Sequence, residues 1–181
     1  MTSLRLGFGA CAPEAIKAAR PPGLSTAKDF CATSPPTVSK TAAQPVTTWV
    51  KSCALHSNAH ALSPHSRNLT DIQLAAIGET NGIIGVNFST SFLRPDGRRD
   101  ADTSVELVID HLEHILKQVG EDGVGFGSDF DGAKIPAGIG NAAGLQNLVE
   151  VMRTRGYSEP LIEKLCYKNW LRVLGQTWGR P

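Results

Sequence analysis

The chain has 181 residues, a formal net charge of +1, and hydrophobic and charged fractions of 41% and 19%. That length holds a domain with a real core. The near-neutral charge argues against a dedicated nucleic-acid or membrane-surface binder, which carries a strong basic bias. No apolar run is long enough to span a bilayer, and no apolar stretch follows Arg5 as in a secretory signal. The cysteines, Cys11, Cys31, Cys53 and Cys166, are scattered and form no CxxC pair, which suits a reducing compartment. A cytoplasmic protein is therefore expected.

Residues 1–46 are rich in Ala, Pro, Ser and Thr and keep neither strand nor helix periodicity. Such a composition buries too little to offset chain entropy, so this stretch is expected to be mostly disordered, with a short helix near Pro13–Ala19. It also suits a transit peptide, or a replaced or misread N-terminus. Residues 1–51 hold six Lys/Arg against Glu14 and Asp29, so the remainder is mildly acidic.

Residues 47–181 form the second unit. "SCAL" (52–55) reads as a short buried strand, followed by the loop "HSNAHALSPHSRN" (56–68). "TDIQ" (70–73) is a capping box opening a helix to about Glu79, and Asn81-Gly82 stops it. "GIIGVNF" (82–88) is unalternating and so reads as a strand buried on both faces. "TSVE" (103–106) is a second capping box. It opens a helix whose apolar residues, from Val105 to Val119, follow helical spacing and which ends at Gly120. "GVGFGS" (123–128) is a third strand, and "LQNLVEVMRTRG" and "SEPLIEKLCYKNWLRVLG" form a helical tail. Alternating strands and helices with crossovers of this length mean parallel strands, either a doubly wound sheet or part of a (βα)8 barrel. The barrel fits better, because each strand ends by delivering a ligand-capable group: His56, Asn87, and Asp129 with Asp131. A dinucleotide fold would need a phosphate loop, and no GxGxxG opens a helix here.

Several residues could carry chemistry. His56 is placed for a metal ligand or for a backbone-bonded loop histidine. Asp129 and Asp131 in "SDFDG" lie on the same side of an extended backbone, where a carboxylate could orient a metal-bound water or take a proton; an Asp-Gly turn is the alternative. His111 and His114 share a helical face but lack the HExxH spacing of a zinc helix, and read as helix-packing residues. Arg67 has a guanidinium suited to a carboxylate, or is simply an exposed loop arginine.

Taken together, "HSNAHAL", "HSRNLTD", "IIGVNF", "DHLEHI", "VGFGSDFDG" and "RGYSEPLIEKLCYKNWLRVL" resemble the C-terminal part of the membrane (renal) dipeptidase family, peptidase family M19, over residues 50 to 175. The resemblance implies about the last three βα units of a (βα)8 TIM barrel of the metal-dependent hydrolase type. It implies dipeptide hydrolysis with two zinc ions and a bridging water. It places His56 on a metal-ligand histidine, Arg67 on the arginine that holds the substrate's terminal carboxylate, and Asp129 on the aspartate that handles protons beside the metals.

The departures are as informative. His60 stands where the family motif reads "HSNARAL", and Ser66 where proline is frequent. The family's His-x-Asp, its bridging Glu and a further His have no counterpart, since residues 1–55 contain no histidine and Glu14 as their sole glutamate. A single retained ligand cannot hold a zinc pair. A chain inactive by itself is therefore expected, with unclosed sheet edges that invite aggregation or a partner. A second copy could cover an edge but would lack the same ligands, whereas a complementing N-terminal chain could supply them.

Overall fold

A computed structural model describes residues 52–178, and the expected helix near Pro13–Ala19 lies outside them. Strands β1 (Cys53–Ala54), β2 (Ile83–Asn87) and β3 (Val124–Ser128) form one parallel sheet in the order β1-β2-β3. Helix α1 (Asp71–Glu79) connects β1 to β2. The short α2 (Thr90–Leu93) and the longer α3 (Glu106–Val119) connect β2 to β3. Helices α4 (Leu145–Thr154), α5 (Glu159–Glu163) and α6 (Asn169–Trp178) complete the order, with a π-helical turn at Lys164–Lys168 between the last two. The fold is thus α/β with a parallel sheet, and each crossover brings the next strand to the adjacent position, as in a barrel wall.

The sequence patterns explain these elements. All five residues of β2 are buried, as an unalternating apolar run in a parallel sheet requires. On α3, the residues Val108, Ile109, Leu112 and Ile115 recur at helical spacing and are fully buried against Ile84, Val86 and Val124 of the sheet. Gly120 ends α3 at φ 75°, a conformation that costs glycine little. At the start of α1, Gln73 Oε1 accepts from the Thr70 N–H at 2.9 Å and from its hydroxyl at 3.0 Å.

The second expected capping box does not form. Helix α3 starts at Glu106 behind Val105, and the Thr103 hydroxyl instead donates to the Asp100 carbonyl at 2.5 Å. The acidic loop takes up that hydroxyl, and the Glu106 N–H turns to Ser104 Oγ at 3.2 Å.

The outer edge of β3 is less bare than three isolated strands suggest. Gly85 turns its carbonyl toward the β1 side, where Ser57 N–H donates to it at 3.2 Å, so Ile84 and Val86 face β3. Their partner is then Gly125, and the carbonyls of Val124 and Phe126 point away from the sheet. Asn169 Nδ2 donates to the first at 2.7 Å, and the Trp170 indole Nε1–H donates to the second at 3.0 Å. A Cβ on Gly125 would stand 2.6 Å from Trp170 Nε1, so glycine there lets the ring lie close to the strand. Side chains from the helical tail thereby blunt an edge that would otherwise pair with another strand. Trp170→Phe, which removes the donor together with part of the ring, is expected to lower unfolding free energy by at least about 1–3 kcal/mol. A urea melt monitored by circular dichroism checks it, and an unchanged midpoint would show that the indole bond contributes nothing.

Candidate functional site

The C-terminal ends of the three strands define one edge, and the singled-out residues fall on or beside it. His56 follows β1 by two residues and is exposed. Asn87 closes β2 and is fully buried. Asp129 follows β3 and is half-buried. Arg67 is exposed on the loop that leaves β1, its guanidinium carbon 5.9 Å from the centre of the Phe92 ring. The geometry of Asp129 differs from the extended backbone expected of "SDFD". Ser128 and Asp129 both have positive φ, 33° and 69°, and the Gly132 N–H donates to the Asp129 carbonyl at 3.2 Å. The strand therefore turns at once, and Asp129 and Asp131 do not share one side of a strand. Asp131 is exposed, whereas Asp129 Oδ2 accepts from the Asn87 side-chain amide at 3.1 Å.

Why the loop after β1 lies where it does follows from two glycines. A Cβ at Gly127 would come 1.9 Å from the Leu55 carbonyl oxygen, and one at Gly85 would come 2.4 Å from it. The end of β1 thus crosses the sheet face over bare backbone, and His56 is carried with it. Farther along, the loop folds back on itself. Ala59 bridges Leu69 in parallel, with His60 N–H donating to Leu69 O and Leu69 N–H to Asn58 O, both at 2.8 Å.

Buried polar side chains then pin this loop to the rest of the edge. Asn58 Nδ2 donates to Asn87 O and Asn58 Oδ1 accepts from Asn87 N–H, both at 2.9 Å. Asn68 Oδ1 accepts from the Asn58 N–H at 3.1 Å, while its Nδ2 donates to Ser63 O at 2.9 Å and to Phe92 O at 2.8 Å. His111, 1% exposed, joins loop and helix. Its Nδ1 lies 3.1 Å from the Ala59 nitrogen and its Nε2 3.0 Å from the Leu93 carbonyl. A carbonyl only accepts and an amide N–H only donates, so the ring is neutral with its proton on Nε2. Burial pushes its pKa below the ordinary value. His111 is thus a packing residue, as expected from the sequence, but one that also fixes the loop. His114 pairs with Asp71 across α3 and α1 at 2.7 Å.

Among the described residues, no group of three or more His, Cys, Asp or Glu side chains is placed to hold a metal ion. A cavity of about 310 Å³ is lined by Phe126, Ser128, Phe130, Leu145 and Trp170 among others, with mainly apolar walls that do not include Asp129. No helix among the described residues is long and apolar enough to cross a membrane. The asparagines at 58, 68 and 87 were missed as a set in the sequence. Asn87 drew notice at a strand end, but nothing in the spacing of the others signalled that they meet.

A parallel α/β sheet with a loop histidine, an arginine and a carboxylate at its C-terminal edge is one wall of a metallohydrolase-like domain. The chain belongs to the membrane dipeptidase family (peptidase family M19), whose model matches residues 34–178. It is 50% identical over 125 residues to a Klebsiella pneumoniae protein named "Uncharacterized protein in pqqA 5'region", covering 69% of this chain and 46% of that one. It is 37% identical over 123 residues to the dipeptidase tcpJ of Claviceps purpurea, covering 67% of this chain and 28% of that one. A crystal structure of a Rhodobacter sphaeroides metallopeptidase, liganded with a phosphinate mimic of the dipeptide L-Ala-D-Ala, superposes with a TM-score of 0.68 at 56% identity, covering 70% of this chain and 36% of that one. The chain therefore spans less than half the length of each of these relatives.

Two outcomes follow from this geometry. Gly127→Ala should force the end of β1 off the sheet face and cost about 1–3 kcal/mol, with the His56 resonances displaced in an NMR spectrum. A variant of unchanged stability and spectrum would show that the close approach is not needed. The His111 imidazole has a folded pKa below its unfolded value of 6.5, so the unfolded chain binds the extra proton first. Stability should therefore fall as pH drops below the unfolded value, until the folded ring itself protonates. His111→Gln should flatten that part of the stability–pH curve, and an equal slope in both proteins would contradict the assignment.

Proposed function

We propose that these residues form one wall of a zinc dipeptidase site, with Arg67 as the clamp for the dipeptide's terminal carboxylate, Asp129 as the proton-handling carboxylate and His56 as one metal ligand. The family match supports the dipeptidase class, and the single observation that supports the residue roles is that His56 and Asp129 follow strands of one parallel sheet at the same, C-terminal edge. Arg67 is exposed on the same loop, and a planar guanidinium reads a carboxylate through two parallel N–H bonds. Reading the free terminus restricts such a site to short peptides. Asp129, its Oδ2 held by the Asn87 amide, keeps Oδ1 for a proton passing to the leaving amine.

Zinc is held by about three or four protein ligands, and the described residues assemble no such group. Residues 1–51 add no histidine and, as carboxylates, Glu14 and Asp29 alone. This observation favours a companion reading, in which the 181 residues are inactive by themselves and a separate N-terminal half completes the metal site. A dipeptide and that half are then the chain's partners, and a second copy of the same chain does not restore activity.

The substrate clamp is tested by titrating L-Ala-D-Ala into the labelled chain and following the spectrum of the Arg67 loop. Loss of a charge-assisted bidentate contact is worth about 1.5–3 kcal/mol, so Arg67→Ala should weaken binding by roughly ten- to a hundredfold. Equal affinity for the two proteins would sink the clamp.

A further inference from the structure

The asparagines of the edge form a continuous path between the two residues that would touch substrate, and this path has no place in the roles above. It begins at Asn68, the residue after Arg67, which is 5% exposed. It passes through the Asn58 N–H to Asn58, whose side chain is fully buried and engages both main-chain groups of Asn87. The Asn87 side chain is set by a short bond, since its Oδ1 accepts from Ser89 N–H at 2.6 Å. Its amide Nδ2 donates to Asp129 Oδ2 at 3.1 Å. Every polar group of Asn58 is used, because its carbonyl takes the Leu69 N–H.

Resting on the proposed roles of Arg67 and Asp129, we infer that Asn58 is a positioning residue, which fixes the distance and orientation between the carboxylate clamp and Asp129 by holding the main chain of Asn87. The chemistry suits the task. A primary amide is the smallest side chain that donates and accepts in one plane, so it can bond the N–H and C=O of one residue together. Those Asn87 groups lie where the β1 strand has already ended, and a buried pair left open would be costly. An apolar residue at 58 would let the end of β2 move and would take the Asn87 amide off Asp129. A carboxylate there would accept from the Asn87 N–H but repel its carbonyl.

The test uses the full 181-residue chain, labelled with ¹⁵N, and two readouts that a merely space-filling residue would not move. In Asn58→Ala, exchange of the Asn87 main-chain N–H should quicken at least about tenfold, the factor for loss of one buried hydrogen bond, with Ile84 and Val86 far less affected. In the wild-type background, Asp129→Asn should shift the Asn87 side-chain amide resonance, and in the Asn58→Ala background that response should vanish. A response that persists undiminished overturns the inference. Should Asn58→Ala fail to fold, Asp129→Asn alone still decides: it should shift the Asn58 side-chain amide, which does not touch Asp129, and an unmoved resonance overturns the coupling. Neither readout involves a dipeptide. Failure of L-Ala-D-Ala to bind would therefore remove the functional reading while leaving the Asn58 coupling standing.

Discussion

Parallel strands of unequal length leave main-chain groups unpaired where the shorter one stops, and in this chain that problem falls on Asn87. Strand β1 stops at Ala54, well short of the end of β2, so the N–H and C=O of Asn87 would be buried without partners. The Asn58 side chain takes both. Much of the edge hangs on that substitution of a side chain for a strand. It ties the loop carrying His56 and Arg67 to β2, and it sets the residue whose amide reaches Asp129. His111 secures the same loop from the helical side through Ala59. Both residues are buried and polar, and each is satisfied by groups that only the folded chain brings together.

The strands and helices were largely legible in the sequence because their signals are local. An unalternating apolar run at 83–87, a helical stripe from Val108 to Ile115 and a glycine at 120 each point to one answer. Thr103 shows where local reading fails. Its capping-box pattern is sound, but Arg94, Asp96, Asp100 and Asp102 form a charged loop that recruits the hydroxyl elsewhere. Asp129 fails for a different reason. Nothing in "SDFD" announces two successive residues with positive φ, and without them the carboxylate would not face Asn87. The roles proposed for His56, Arg67 and Asp129 rest on likeness to a family, whereas their own spacing leaves each with an ordinary alternative. Asn58 and Asn68 were out of reach, since ten residues of loop must fold back before they meet.

In the proposed reading the edge offers a place for a substrate's charged end and for a proton, and membership of the dipeptidase family supports that class of chemistry. It does not provide a metal centre among the described residues. The division is physically reasonable in a barrel whose site is built from the ends of many strands. Each strand brings one or two groups, so a sheet of three strands brings one part of the site however well it is ordered.

The most direct test of this account is the zinc content of the purified 181-residue chain at saturating free metal, read by mass spectrometry after dialysis, with hydrolysis of L-Ala-D-Ala followed on the same sample. The account predicts less than one tightly held zinc per chain and no hydrolysis. Two zinc ions per chain with turnover would contradict it, and would mean that these residues assemble a complete site by an arrangement other than the one described.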